Sequence, residues 1–349
     1  MVRMYLTLHQ DFRVTLTVEP PIGGSWKQIV TFRDAIAEGD KKLVLAAAFP
    51  QRPFGLPRVG SRFQTAVLKS NLQKAVRRGK VEAAVATAFQ MACQGSDDLT
   101  ELLRRLPIIL LEDTLLNSKI LARWTWWMLA VAKGWILSDT EWKRLLADLA
   151  FVAAQRGAPF REGRLCFDCE DPLPCSAILG VADEVKRVGL FAIWIRSQWG
   201  GMTGDMNMLR GLGLDWLKRS EEDWTRGGVL RGPPHCLLPT FPIFDVGSHA
   251  LDEAVDFHCC PGMLKDFAEQ TGGDERDIKR AIWEHRSSLN VRELFLAGPA
   301  LCSTNEPAVG LDLLSRCNFD RWIRSAWKPQ SRPKSIQSSM IAFLKPVEA

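Results

Sequence analysis

The sequence predicts a mainly α-helical protein made of multi-helix bundle domains, with a small N-terminal β-hairpin. Three observations lead there. Residues 4–18 alternate apolar and polar side chains in two short runs, which is the period of strands. Between 61 and 156 the apolar period lengthens to that of helices. At 349 residues, 46% apolar and 24% charged, the chain is long enough for two domains and a substantial core.

Taken in order, "MYLTL" and "RVTLTV", joined by "HQDF", form the expected hairpin, which ends in the Pro/Gly-rich "EPPIGG". A helix is expected near 28–49, and "FPQRPFGLPRVGS" at 49–61, with its prolines and glycines, reads as a linker. Five helices follow at about 61–78, 80–93, 97–111, 117–134 and 139–156. They are punctuated by Gly79, Gly95 and Gly134, with Ser96 or Asp97 and Ser138 or Asp139 as N-caps. Residues 157–182, rich in Pro, Gly and Cys, read as irregular. Further helical runs are expected at 183–198, 250–270, 274–288 and 308–326. The expected domains are 1–57 (hairpin and helix), 58–156 (helical), 157–328 (mainly helical, with the Cys-rich loop) and 329–349 (a flexible basic tail).

Composition excludes several classes. The most hydrophobic stretch, at 121–137, is interrupted by Arg123 and Lys133 and is not a membrane span, and the N-terminus alternates where a secretory signal would be apolar. Nine cysteines in mixed contexts give no disulfide framework, so the expectation is an intracellular protein without a membrane partner. The net charge is only +5, yet residues 320–349 carry six Lys or Arg against Asp320 and Glu348, which concentrates the excess in the tail.

The tail contains "QSSMIAFL" at 337–344, an apolar cluster where a solvated tail would be polar. One helical or 3₁₀ turn puts Met340, Phe343 and Leu344 on one side, as a plug for an apolar pocket, with the Gln337 amide free to hydrogen-bond beside it. This spacing fits the peptide with which replication and repair proteins bind the sliding clamp, and it implies a PCNA-type clamp as partner. Leu344 stands where a second aromatic is usual, so less area would be buried. The other reading is a tail that docks on the protein's own core.

Residues 61–135 carry a second resemblance, in Lys74–Ala75, Arg78–Gly79, the alanines of 83–88, Arg104–Leu106 and Glu112–Asp113. This pattern resembles the C-terminal helical region of the clamp-loader-like AAA+ family that includes the Werner-helicase-interacting protein. The resemblance implies a DNA-transaction context and a homo-oligomer. It does not imply an ATPase, because the chain has no G-x-x-x-x-G-K-[ST] phosphate loop. Read as plain chemistry, the same residues are helix-end ion pairs and tight alanine packing.

Two clusters are candidates for metal chemistry. "CFDCEDPLPC" offers Cys166, Cys169 and Cys175 as zinc ligands, with His235 or Cys236 as a fourth, against the reading of reduced buried thiols. In "FDVGSHALDEAVDFHCCPG", a helix would place His249, Asp252, Glu253 and Asp256 on one face. Such a face could hold Mg²⁺ or Mn²⁺ for phosphodiester hydrolysis, with His258 as acid or base; the alternative is a solvated acidic face. Lys279, Arg280, Arg286 and Arg292 suit phosphate contacts. Of thirteen tryptophans, Trp194, Trp199 and Trp283 lie near basic residues and could stack on unpaired bases, while "WTWW" at 124–127 reads as core. The leading expectation is a replication or repair accessory protein, nuclear or at the site of replication, that binds the clamp and DNA. The alternative is a metal-dependent nuclease or DNA-modifying hydrolase recruited by the same tail.

Overall fold

The computed structural model describes residues 3–23, 26–34, 39–56, 63–114, 117–154, 169, 171–219, 250–287 and 316–327, without the side chains of 33, 34, 39–41, 284 and 285. The protein is mostly helical with a small mixed sheet at its N-terminus. The chain divides into two compact units, each drawn from three stretches: Met1–Gly55, Leu103–Asp148 and Pro159–Cys236 in the first; Leu56–Leu102, Leu149–Ala158 and Leu237–Ala349 in the second.

The first unit holds the sheet. Strands β1 (Arg3–Leu8) and β2 (Val14–Thr17) form the expected hairpin, with Leu6 opposite Leu16. The hairpin is half of a four-stranded sheet. β3 (Trp26–Asp34) and β4 (Gly39–Ala47) occupy the span where a helix is expected, and the order is β2-β1-β4-β3 with β1 and β4 parallel. The physical reason lies in "WKQIVTFRD", where Val30 and Phe32 are buried and Ile29 is exposed, a period of two. Next to it, "LVLAA" is buried throughout, as suits a central strand. Helices α4 (Ser118–Ala132), α6 (Cys175–Leu179), α7 (Glu184–Gln198) and α8 (Thr203–Lys218) join the sheet, with the C-terminal part of α3 (Ser96–Asp113) and most of α5 (Asp139–Ala154).

Among the described residues of this unit, Trp124, Trp126, Trp127, Trp135, Trp142 and Trp194 are core. Trp26, Trp126 and Trp135 meet edge to face at centroid distances of 5.0–5.8 Å. The indole N–H groups of Trp127 and Trp135 both donate to Glu141 Oε1, at 3.0 and 2.9 Å. Glu141 Oε2 accepts from the N–H and hydroxyl of Ser138, whose Oγ in turn accepts from Glu141 N. The result is a reciprocal capping box that starts α5 where Ser138 or Asp139 is expected. Helix α8 is absent from the sequence expectation because three glycines interrupt its pattern. One of them, Gly213, is a packing glycine: a Cβ there would lie 2.4 Å from Leu173 Cδ2.

The second unit contains α1 (Thr65–Arg77), α2 (Val81–Gln94), α9 (Met263–Thr271), α10 (Glu275–Ile282) and α11 (Phe319–Ala326), with the start of α3 and the end of α5. Its core joins Val67 of α1 to Val255, Cys259, Met263, Phe267, Ile278 and Ile282. The continuous helix expected over 250–270 is instead one 3₁₀ turn at Asp252–Ala254, an irregular stretch and α9, which Gly262 opens in the left-handed region (φ 85°).

Candidate nucleic-acid interface

The site is built outward from one buried ion pair. Lys74 on α1 and Asp256 are each about 5% exposed, and Lys74 Nζ donates to Asp256 Oδ2 at 2.6 Å. Lys74 also donates to Ser70 Oγ at 3.0 Å. Asp256 Oδ1 accepts from the His258 backbone N–H at 2.9 Å, contacts His258 Nδ1 at 3.2 Å and accepts from Cys259 Sγ at 3.5 Å, while Ser287 Oγ donates to Oδ2 at 3.3 Å. Burial by itself would raise the Asp256 carboxyl, but the bonds from His258 and the Lys74 ammonium outweigh it and hold it below the usual carboxylate range. Burial pushes the Lys74 ammonium down and Asp256 opposes that shift, while both carboxylate oxygens are occupied.

Three more polar residues of the α1 region tie down the same neighbourhood. Asn71 Oδ1 accepts from Leu251 N at 3.0 Å, Arg77 Nη1 donates to Ser287 O, and Arg78 Nη2 donates to Arg286 O at 3.1 Å. These bonds fix both the 251–260 segment and the π-helical turn Trp283–Ser287 that follows α10. Lys74 and Arg78, two residues of the clamp-loader-like pattern, thus serve intramolecular bonds.

On this frame α10 presents a distinct outer face. At 100° per residue Arg276, Lys279, Arg280 and Trp283 fall on one side, while the buried Ile278, Ala281 and Ile282 fall opposite; Glu275 and Asp277 lie on the flanks. Arg276, Lys279 and Arg280 are exposed, and Trp283 is 49% exposed despite its size. Two aromatic rings extend the platform. Phe257 and His258 lie 4.2 Å apart at 37°, and His258 meets Trp283 edge-on at 6.5 Å. The ammonium of Lys279 sits 5.3 Å from the Phe257 ring centroid, a cation–π contact that keeps the charge beside the aromatics. Such a surface offers flat π faces and cations side by side.

The sequence-predicted residues divide accordingly. Lys279 and Arg280 stand on this face. Arg286 does not, because it is held inside: its Nη2 donates to Asp252 O at 2.8 Å and its guanidinium lies 4.0 Å over Phe319. Trp194 is fully buried and Trp199 packs on Phe32, which leaves Trp283 as the exposed member of the three stacking candidates. The helical face expected for His249, Asp252, Glu253 and Asp256 does not form over 252–256. Beyond the single 3₁₀ turn Val255 is extended, so Ala254, Val255 and Asp256 turn inward while Asp252 stays exposed. The gain is apolar burial of Ala254, Val255 and Cys259.

Among the described residues, no group of three or more His, Cys, Asp or Glu side chains is arranged to hold a metal ion. Cys175 is buried at the start of α6 and Cys169 is half-buried. Burial pushes the Cys259 thiol up to about 12 and that of Cys260 up to about 11, so neither is a ready thiolate. His249, Cys166, His235, Cys236, Arg292 and the motif residues Gln337, Met340, Phe343 and Leu344 lie outside the described residues. What sequence reasoning missed is Arg276, together with the pairing of Phe257 and His258 beside Trp283. The i, i+3, i+4, i+7 spacing of 276, 279, 280 and 283 was the available signal.

No protein-family model matches the chain, and comparison with curated proteins and with solved structures returns no similar protein. Among the described residues no helix is long and apolar enough to cross a membrane.

Proposed function

We propose that the protein is a DNA-binding accessory factor of replication or repair. It holds an unpaired strand on the face of α10 and reaches a sliding clamp through Gln337, Met340, Phe343 and Leu344. The observation that supports the first half is Trp283, half exposed between Phe257–His258 and three cations on one helical face. A base stacks on the indole, and the phosphates on either side fall within reach of Arg276, Lys279 and Arg280. Recognition of this kind tolerates any base sequence, because every base has a π face. The second half is supported by the spacing of the tail motif and the positive charge around it.

Fluorescence anisotropy of the full chain with a labelled oligo-dT tests the DNA half. Trp283→Ala is expected to weaken binding about 5- to 150-fold, the loss of one stacked base. Three neutralised phosphates would give a salt slope of about −2. Equal affinity of Trp283→Ala and wild type would refute the platform. In parallel, Met340→Ala/Phe343→Ala should lose an immobilised clamp while keeping oligo-dT affinity, and clamp retention by that variant would remove the tail from the proposal.

A further inference from the structure

The first unit contains a cavity of about 410 Å³ whose lining carries more cations than carboxylates, with Arg13 paired to Asp11. The turn of the β1–β2 hairpin, the first turn of α4, the first turn of α7 and Arg144 of α5 surround it. Four cations line it, Arg13, Lys119, Arg123 and Arg144, against the two carboxylates Asp11 and Glu184. We propose that this cavity binds a compact phosphate ester with an aliphatic or polyol body.

The positive side is preorganised. Arg123 is buried; its Nε and Nη2 donate to Asp148 at 2.7 and 2.9 Å, and its Nη1 donates to Phe12 O at 2.8 Å. That uses three of the five N–H groups of the guanidinium. Arg144 Nε donates to the same Asp148 at 2.9 Å, so one carboxylate holds two arginines at the wall. The bond to Phe12 O also fixes the hairpin turn, where Phe12 takes the left-handed conformation (φ 62°) that a non-glycine residue rarely adopts. Asn117 caps α4 by accepting from Ile120 N at 3.0 Å, which leaves the N–H groups of Ser118 and Lys119 without an intrahelical acceptor, at the positive end of the helix dipole.

The close approach of α7 sets the cavity's width. A Cβ on Gly189 would lie 2.6 Å from Ser118 Oγ and 2.8 Å from Ser118 Cβ, so glycine lets α7 lie against the start of α4. Size and lining then choose the ligand. The volume lies near the low end of the roughly 300–1,000 Å³ typical of small-molecule sites. Two fixed arginines, one exposed lysine and free helix N–H groups suit a phosphate. The rest of the wall is aliphatic, with Val14, Val185 and Val188 and no aromatic ring, so it offers nothing on which a nucleobase would stack. Asp11 and Glu184 at the rim can accept from hydroxyls, which fits a polyol.

Calorimetric titration of the full chain with glucose 6-phosphate, glycerol 3-phosphate, inorganic phosphate and glucose tests this. One of the two esters is expected to bind saturably and more tightly than phosphate, with no heat from glucose. Lys119→Glu should weaken the ester about tenfold or more without changing the melting temperature of the unliganded protein, since Lys119 is exposed. Arg276→Glu/Lys279→Glu on α10 should leave ester binding unchanged, which separates this site from the DNA reading. The proposal is overturned if neither ester gives saturable heat up to about 10 mM, if Lys119→Glu binds as wild type does, or if inorganic phosphate alone binds as tightly as the ester.

Discussion

Replacing Lys74 by Met removes the ammonium and keeps the stem, and it leaves the Asp256 carboxylate buried. The two side chains are 5% and 4% exposed, so water cannot substitute for the lost partner. Breaking a buried pair by removing one member costs about 3–5 kcal/mol. Here the lower end is expected, because the His258 N–H, Ser287 Oγ and Cys259 Sγ still face the carboxylate. The pH dependence gives a sharper test. In the wild type the folded Asp256 carboxyl is held low, so its contribution is fully present above the unfolded value of about 3.9 and is lost only as pH falls through the lower folded value. Without Lys74 the carboxyl loses part of what offsets its burial and rises, although the His258 bond stays, so protonation relieves the variant earlier. The deficit should therefore be largest near pH 7 and shrink towards pH 4. Urea unfolding at the two pH values measures the difference, with hydrogen exchange on 251–260 and α1 locating it. A deficit under about 1 kcal/mol at pH 7, or one equal at both pH values, would show that the pair is not the hub described.

Two other expectations are independent of that pair. Cys93 and Cys259, pushed up to about 12 by burial, should react with a disulfide reagent at pH 8 only as fast as the protein unfolds, and rapid labelling in native buffer would contradict their burial. Gly189→Ala should cost about 1–3 kcal/mol, since the new methyl meets Ser118 Cβ at 2.8 Å as well as the hydroxyl, so turning the hydroxyl away does not relieve the clash; an unchanged melting temperature would mean α7 can shift.

Much of the helical content was legible because its signals are local. The helices of 65–154 and α7 follow apolar period, glycine punctuation and caps such as Ser138 with Glu141, all within a few residues of one another. The sheet was half legible: β1 and β2 show their alternation, but the partner of β1 across its other edge is β4, some forty residues on, and nothing in "LVLAAA" separates a buried strand from a buried helix. The continuous helix expected over 250–270 fails for the same reason. Lys74 lies 182 residues from Asp256, so the ion pair that turns Asp256 inward leaves no trace in the local spacing. The basic side of α10 was visible in Lys279 and Arg280, whereas the placing of Phe257 and His258 beside Trp283 depends on tertiary structure.

That separation has a consequence in time. A ribosome adding about 5–20 residues per second takes roughly 10–35 s to pass from Lys74 to Asp256. Through that interval the lysine must stay in water, and α1 cannot take its final surroundings however quickly it becomes helical. The nascent chain therefore carries Val67 and Lys74 of α1 uncovered by the 251–287 segment until late in translation. Whatever shields those side chains on the ribosome, whether a chaperone or a transient non-native contact, must release them once Asp256 emerges.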